Sequence, residues 1–519
     1  MLKRGVLPFL KGDSVAMRIA SAIVVMVLLL GVGSAKAGSA DLATRLDRLL
    51  ARAPLAHASV GIYVERQSDG ERVYARGADR LLIPASNQKI LTALATLERF
   101  GPSHRFSTRI WAPRPIDADG RVSELLVEGG GDPAMNSEDW WRLAADLRRE
   151  GLRGVEGDLR VDDTLFDGPR WHPSWGAVTA RAYHAPVGAL TANYGAFFVS
   201  VWPQAAAGSA AKVDIDPPVA YLRLRNQAKT VSAKRRAKLA LDRIAGQRPN
   251  GTAEEIIRVS GVVRVGDAVD RFARSVLDPG LYAGSVLAYQ LAANGIDIDG
   301  EVRRAPRGDG EWALILDRSG RAVSEIVALC LKYSNNSIAE MLVKNLAAWE
   351  GVSLGEEPTR QGEWVAGIRA LRRELARLSV DLGGATLVDG SGLSLQNRLT
   401  PRMLVRALEV GRRSFRSGPE FVASLPIAET DGTLKKRLRG DRGRIRAKTG
   451  LLSDASVTAL SGYAERADGE VLIFSILVNG FTGDSGGAMD AVDRLASVLL
   501  DAPLKAPRKR SKIPAAIAE

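Results

Sequence analysis

Apolar and polar residues alternate from Ser59 to Glu65 and again from Arg72 to Ala75, around Ser68-Asp69-Gly70, which predicts a β-hairpin. After Pro84 the period lengthens: Ile90, Leu91, Leu94 and Leu97 recur at helical spacing. From about residue 106 to about 305 the chain becomes short strand-like runs punctuated by Gly, Asp and Pro, and it holds Trp111, Trp140, Trp141, Trp171, Trp175 and Trp202, six of the nine tryptophans. Helical spacing returns from Val323 to Glu350, broken at Ser334-Asn335-Asn336, and from Trp364 to Leu378. Alternating runs at Arg444 to Lys448, Val457 to Ala464 and Val471 to Asn479 predict strands before an Ala/Leu-rich helix near Ala488 to Leu500. The pattern predicts an α+β catalytic domain in two parts, 38–105 and 306–503, separated by a β-rich insertion over 106–305 with room for two lobes.

Ahead of this lies a different signal. Lys3, Arg4, Lys11 and Arg18 precede an apolar run from Ile19 to Val32, which gives way to the small-x-small site Ala35-Lys36-Ala37. The run spans 14 residues, short of the roughly 20 a membrane span needs, so residues 1–37 read as a cleaved signal peptide and the protein as exported to the periplasm or cell envelope. Met17-Arg18 with the apolar run is itself a complete signal, so Met17 is an alternative start.

Composition narrows the chemistry. The 519 residues are 46% hydrophobic and 25% charged, ordinary for a globular chain, and carry a formal charge of +13. Export makes the basic runs Lys234-Arg235-Arg236-Ala237-Lys238 and Arg508-Lys509-Arg510 solvated faces rather than nucleic-acid sites; an anionic envelope polymer or membrane surface suits the charge. The basic tail, 504–519, lacks an apolar face, so at most a peripheral, salt-sensitive membrane contact is expected. A single cysteine, Cys330, excludes an intramolecular disulfide and a C-x-x-C site, and none of the four histidines stands in H-E-x-x-H spacing. Metal-free, cofactor-free chemistry is the expectation.

Three short motifs suit that chemistry. Ser86-Asn87-Gln88-Lys89 opens the predicted helix after Pro84, and residues three apart share a face, so the Lys89 amine reaches the Ser86 hydroxyl. Serine needs a nearby base to act as a nucleophile, and a desolvated lysine can serve. Alone the motif is weak: Ser209-Ala210-Ala211-Lys212 fits it too, and a helix cap with a surface charge reads the same way. Ser334-Asn335-Asn336, between two helices, is either a polar loop facing a cleft or the cap of the helix near Ile338. Lys448-Thr449-Gly450 is either a carboxylate grip with a glycine allowing close approach or a strand end entering a turn. In this order the trio matches the known signature of β-lactamases and penicillin-binding proteins.

With these motifs the sequence resembles the D-alanyl-D-alanine carboxypeptidase/endopeptidase family, the low-molecular-mass class C penicillin-binding proteins. Ser86 and Ser334 stand 248 residues apart, which matches that family's large insertion. So do Gly129-Gly130-Gly131-Asp132-Pro133, Val161-Asp162-Asp163-Thr164, Tyr183-His184-Ala185-Pro186-Val187, Asp389-Gly390-Ser391-Gly392-Leu393-Ser394 and Leu425-Pro426-Ile427-Ala428 leading to Asp431-Gly432-Thr433-Leu434. Asn335 departs from the Asp common at the middle of the second motif. The resemblance implies a β-lactamase/transpeptidase-like domain, an antiparallel sheet flanked by helices, that hydrolyses peptidoglycan stem peptides or cross-links through a Ser86 acyl-enzyme and is inhibited by β-lactam antibiotics. It implies Lys89 as base, Ser334 as proton relay to the departing amine, and Asn336 as orienting group. Lys448 and Thr449 would hold the terminal carboxylate beside Gly450, with the N–H groups of Ser86 and Leu451 as the oxyanion hole. Asp162 or Asp163 would meet a diaminopimelate amine.

Competing readings exist. Gly483-Asp484-Ser485-Gly486-Gly487 matches a trypsin-like run but falls between the last strand and the last helix, where a Gly-rich connection is the better account. The tryptophans read as packing anchors ahead of sugar platforms, and Cys330 as a buried packing residue. A serine β-lactamase and a non-catalytic envelope-binding protein of the same fold remain the alternative functions.

Overall fold

The computed structural model describes residues 41–353, 356, 358, 361–502 and 504. The predicted signal peptide and nearly all of the basic tail lie outside the described residues. The hairpin is Ser59–Arg66 with Arg72–Arg76, and it joins the three C-terminal strands in one antiparallel sheet ordered Ile445–Leu452, Val457–Glu465, Val471–Asn479, Ser59–Arg66, Arg72–Arg76. Strand alternation sends Val60, Ile62 and Val64 to one face, where helices Asp41–Leu50 and Ser485–Asp501 cover them, and Tyr63 to the other. That second face carries helices Gln88–Phe100, Val323–Lys332, Asn336–Ala348, Trp364–Arg377 and Pro401–Arg413. Gly61 lets the last of these settle onto the sheet, since a Cβ there would stand 2.8 Å from the Pro401 ring.

The insertion has a separate core built on Ile110, Val127, Trp140, Leu159, Phe197, Ile257 and Tyr282. It is richer in helix than its sequence pattern predicts. Ser137–Arg149 opens on a capping box at Asn136, and Pro279–Ala293 is apolar nearly all round, so neither announces itself among the strands. Its principal sheet runs Val302–Arg304, Leu159–Asp162, Leu125–Gly129, Arg105–Ala112, Ala313–Ala322. The last strand lies beyond the boundary expected at 305. Ala313 faces Ala112 and Ala322 faces Arg105, so the chain leaves the catalytic domain and returns to it as antiparallel neighbours.

Candidate active site

Three elements converge between the antiparallel sheet and the helical layer. Ser86 stands on a single 3-10 turn, Ala85–Asn87, that feeds directly into helix Gln88–Phe100. The turn is forced: Ala85 has φ +46° and is fully buried, a left-handed conformation that only surrounding packing holds in a residue with a Cβ. Lys89 follows one helical turn on, fully buried, and its Nζ donates to Ser86 Oγ (2.9 Å), Asn336 Oδ1 (2.7 Å) and the Ser391 carbonyl (2.7 Å). Burial lowers its pKa to about 8, against the pull of Cys330, Asp389 and Glu340. The arrangement places an amine of lowered pKa within a hydrogen bond of the Ser86 hydroxyl, where it can act as a base toward it.

Ser334 is the second element. Asn335 caps helix Asn336–Ala348 by accepting from the Ile338 N–H, while Ser334, at φ +56°, leaves the helical path and accepts from Lys448 Nζ (2.8 Å). Cap and candidate catalytic hydroxyl are thus adjacent residues with separate tasks. Asn336 bridges outward too, its Nδ2 donating to the Tyr183 carbonyl of the insertion (2.9 Å).

Strand Ile445–Leu452 supplies the third element and is an edge of the sheet. Its first residues are covered by Pro426–Ala428, through Ala447 N–H to Pro426 (2.9 Å) and Ala428 N–H to Ile445 (2.9 Å). The period of two carries the same outward direction to Thr449 and Leu451, where no strand among the described residues covers the edge. Gly450 packs on the nucleophile turn: a Cβ would stand 3.0 Å from Asn87 Nδ2 and 3.1 Å from Ala85. Lys448 Nζ also donates to the Thr449 carbonyl (2.7 Å), and burial followed by the Lys89 charge holds its pKa well below the ordinary lysine value. Thr449 Oγ1 donates to Thr433 (2.8 Å).

The structure thus brings Ser86, Lys89, Ser334, Asn336, Lys448, Thr449, Gly450 and Leu451 together. It gives Asp162 and Asp163 other work. Asp162 accepts from the Thr164 N–H (3.0 Å) and hydroxyl (2.6 Å) and from the Arg307 N–H (2.9 Å), and Asp163 ion-pairs with Arg304. Both carboxylates serve the insertion's own chain, as short acids in turns usually do. The other matches resolve similarly. Asp484 caps the last helix by accepting from the Gly487 N–H (2.9 Å), and Lys212 lies on a strand with Nζ 5.1 Å from the Trp202 ring.

Sequence reasoning did not find the layer behind Lys89. Glu340 and Asp389 are fully buried carboxylates beside it, and Trp175 of the insertion donates to Asp389 Oδ2 (2.9 Å). Asp389 stood within a quoted motif, but nothing local marked Glu340, 251 residues beyond Lys89 in a helix of ordinary periodicity.

Comparison with known proteins agrees with this geometry. Residues 42–499 match the model of the D-Ala-D-Ala carboxypeptidase 3 (S13) family. A D-alanyl-D-alanine carboxypeptidase from Actinomadura sp. (strain R39) is 36% identical over 460 residues, covering 85% of this chain and 82% of that one. D-alanyl-D-alanine carboxypeptidase DacB of Haemophilus influenzae is 23% identical over 439 residues, 82% and 86% of the two chains. The crystal structure of penicillin binding protein 4 (dacB) from Haemophilus influenzae superposes with a TM-score of 0.72 at 21% identity, covering 88% of this chain and 98% of its own.

Proposed function

The chain belongs to the D-Ala-D-Ala carboxypeptidase S13 family, and from that premise we propose how its residues act as an exported serine DD-peptidase that binds penicillin. The observation that carries the reading is the Lys89 amine, desolvated and 2.9 Å from Ser86 Oγ. Neutral Lys89 takes the Ser86 proton as Oγ attacks the carbonyl of the penultimate D-Ala. The developing oxyanion lies between the Ser86 and Leu451 N–H groups, donors whose individual loss costs roughly 2.7–4 kcal/mol in comparable sites. Ser334, hydrogen-bonded to Lys448, relays to the departing D-Ala or diaminopimelate amine the proton that Lys89 took from Ser86, and Lys89, neutral again, takes a proton from the water that hydrolyses the ester and returns it to Ser86 Oγ. Lys448 and Thr449 hold the terminal carboxylate.

The same groove suits terminal D-Ala and D-Ala-diaminopimelate cross-links, because both present a D-residue amide with a carboxylate beyond it. Of the two acids expected to meet the stem-peptide amine, Asp163 is the one an ammonium could recruit, by exchange with Arg304; Asp162 is committed to its turn.

Intact-mass spectrometry of the protein with benzylpenicillin, then digestion of purified muropeptides, tests the reading. A stoichiometric adduct on the Ser86 peptide with release of D-Ala or split cross-links is expected. Rapid adduct turnover without muropeptide cleavage would make it a β-lactamase, and neither adduct nor cleavage a binding protein on this fold.

A further inference from the structure

Behind Lys89 the chain makes a tight turn, residues 389–392, whose two sides face different partners. Its carbonyls face the nucleophile helix in order: Asp389 accepts from Gln88 Nε2 (3.2 Å), Gly390 from Thr92 Oγ1 (2.8 Å) and Ser391 from Lys89 Nζ (2.7 Å). Its N–H groups face the other way, into the carboxylate of Glu340: Gly390 N–H to Oε2 (3.0 Å) and Ser391 N–H to Oε1 (2.8 Å). The Trp364 indole N–H supplies a third donor to Oε2 (2.9 Å).

Glu340 has no exposed surface, and no ion pair neutralises it among the described residues. Burial and the neighbouring Asp389 carboxylate raise its pKa, while the Ser391, Gly390 and Trp364 donors favour the charged form and pull the other way; Lys344, one helical turn on, also acts on it as a nearby cation. A glutamine would not substitute freely: both carboxylate oxygens receive N–H groups, so an amide nitrogen would meet a donor.

We propose that Glu340 is a positioning residue for acylation: by pinning the Gly390 and Ser391 N–H groups it fixes the Ser391 carbonyl that holds Lys89 against Ser86. The inference rests on the serine-peptidase reading above. The Gly390–Ser391 peptide has its N–H on Glu340 and its carbonyl on Thr92, and the Ser391 carbonyl that holds Lys89 belongs to the next peptide, whose Gly392 N–H donates to Asp389 Oδ1 (2.8 Å), so a displacement of the Glu340 side reaches Lys89 through the Ser391 Cα. The carboxylate also sets the field at the amine: its negative charge favours the ammonium form and opposes the desolvation that neutralises Lys89. Position and protonation of the base therefore change together when Glu340 changes, a signature a purely structural residue lacks.

The test is the second-order acylation rate of the full chain by benzylpenicillin from pH 5 to 10, for wild type, Glu340→Gln and Glu340→Asp. Glu340→Gln should lower the plateau by about a hundredfold, the effect of roughly 1 Å of misplacement, and move the acid limb to lower pH, since a negative charge near the amine has gone. Glu340→Asp should lower the plateau with the limb held, since the charge remains. An unchanged plateau, an unmoved limb in Glu340→Gln, or a loss matching only the fraction of unfolded protein would overturn the proposal. If Glu340→Gln does not fold, Trp364→Phe removes one donor from the same carboxylate and should slow acylation by about tenfold; a wild-type rate there would overturn it equally. Absence of any adduct in the wild type would instead defeat the serine-peptidase reading.

Discussion

Lys89 shows how surroundings set the state of an amine. Its amine is removed from water and given three acceptors, and of the two effects the desolvation wins, bringing the pKa to about 8. In the proposed reaction the acting form is the neutral amine, so acylation should rise with pH and level off above about 8, falling about tenfold per unit on the acid side. A stopped-flow pH profile with no limb between 7 and 9 would contradict this. Ser86→Ala should abolish the adduct while leaving the thermal transition in place, and Lys89→Ala should be nearly as damaging because the two act as a unit. Lys344 offers a contrast in the same helical layer. It is buried over the Trp364 ring at 4.1 Å, with Nζ donating to the Asp167 carbonyl, and burial lowers its pKa to about 8. Between pH 8 and 10 the unfolded chain holds the proton that the folded chain has released, so stability gains with pH. The melting temperature of wild type relative to Lys344→Met should therefore rise from pH 8 to 10; a constant difference would place the charge elsewhere.

Among the elements, helices and strands around the three motifs were legible because each has one apolar stripe or one alternating run. The helix Val323–Lys332, the break at Ser334 and the helix Asn336–Ala348 appear where spacing put them. Helices Ser137–Arg149 and Pro401–Arg413 did not stand out, although both are amphipathic. They lie among Gly- and Pro-punctuated stretches that read as loops. What no single element could announce is the convergence of Glu340, Asp389 and Trp175, each unremarkable in its own segment and meeting only across the tertiary structure. Glycines mark some of these meetings. Gly392 has φ +77°, and a Cβ there would stand 1.9 Å from the Ala85 carbonyl, inside the nucleophile turn. Gly392→Ala should cost roughly 1–3 kcal/mol and suppress acylation beyond what lost stability explains, measured by melting and by adduct yield. Asn136→Ala, which removes the cap of Ser137–Arg149 in the insertion, should cost about 1 kcal/mol with acylation per folded molecule unchanged.

At the scale of the whole molecule, the described residues form three cores, one on each face of the antiparallel sheet and one in the insertion, and the insertion reaches the candidate site through a few directed bonds. Asn336 donates to the Tyr183 carbonyl, and Trp175 donates to Asp389. Loops of the insertion therefore help set the groove without supplying the nucleophile. The antiparallel sheet, by contrast, is closed by the two ends of the fold: Ser59 pairs with Asn479 and Arg66 with Leu472 across the whole length of the insertion. That closure sets a clock. The first strand must wait for a partner made some four hundred residues later, while the insertion core needs only its own contiguous segment. A nascent chain can consequently carry a folded insertion and a complete Ser86–Lys89 segment yet possess no working nucleophile, because the Lys448 strand and its neighbours are the last to emerge. The proposed site is therefore complete only once these late strands have paired with the first.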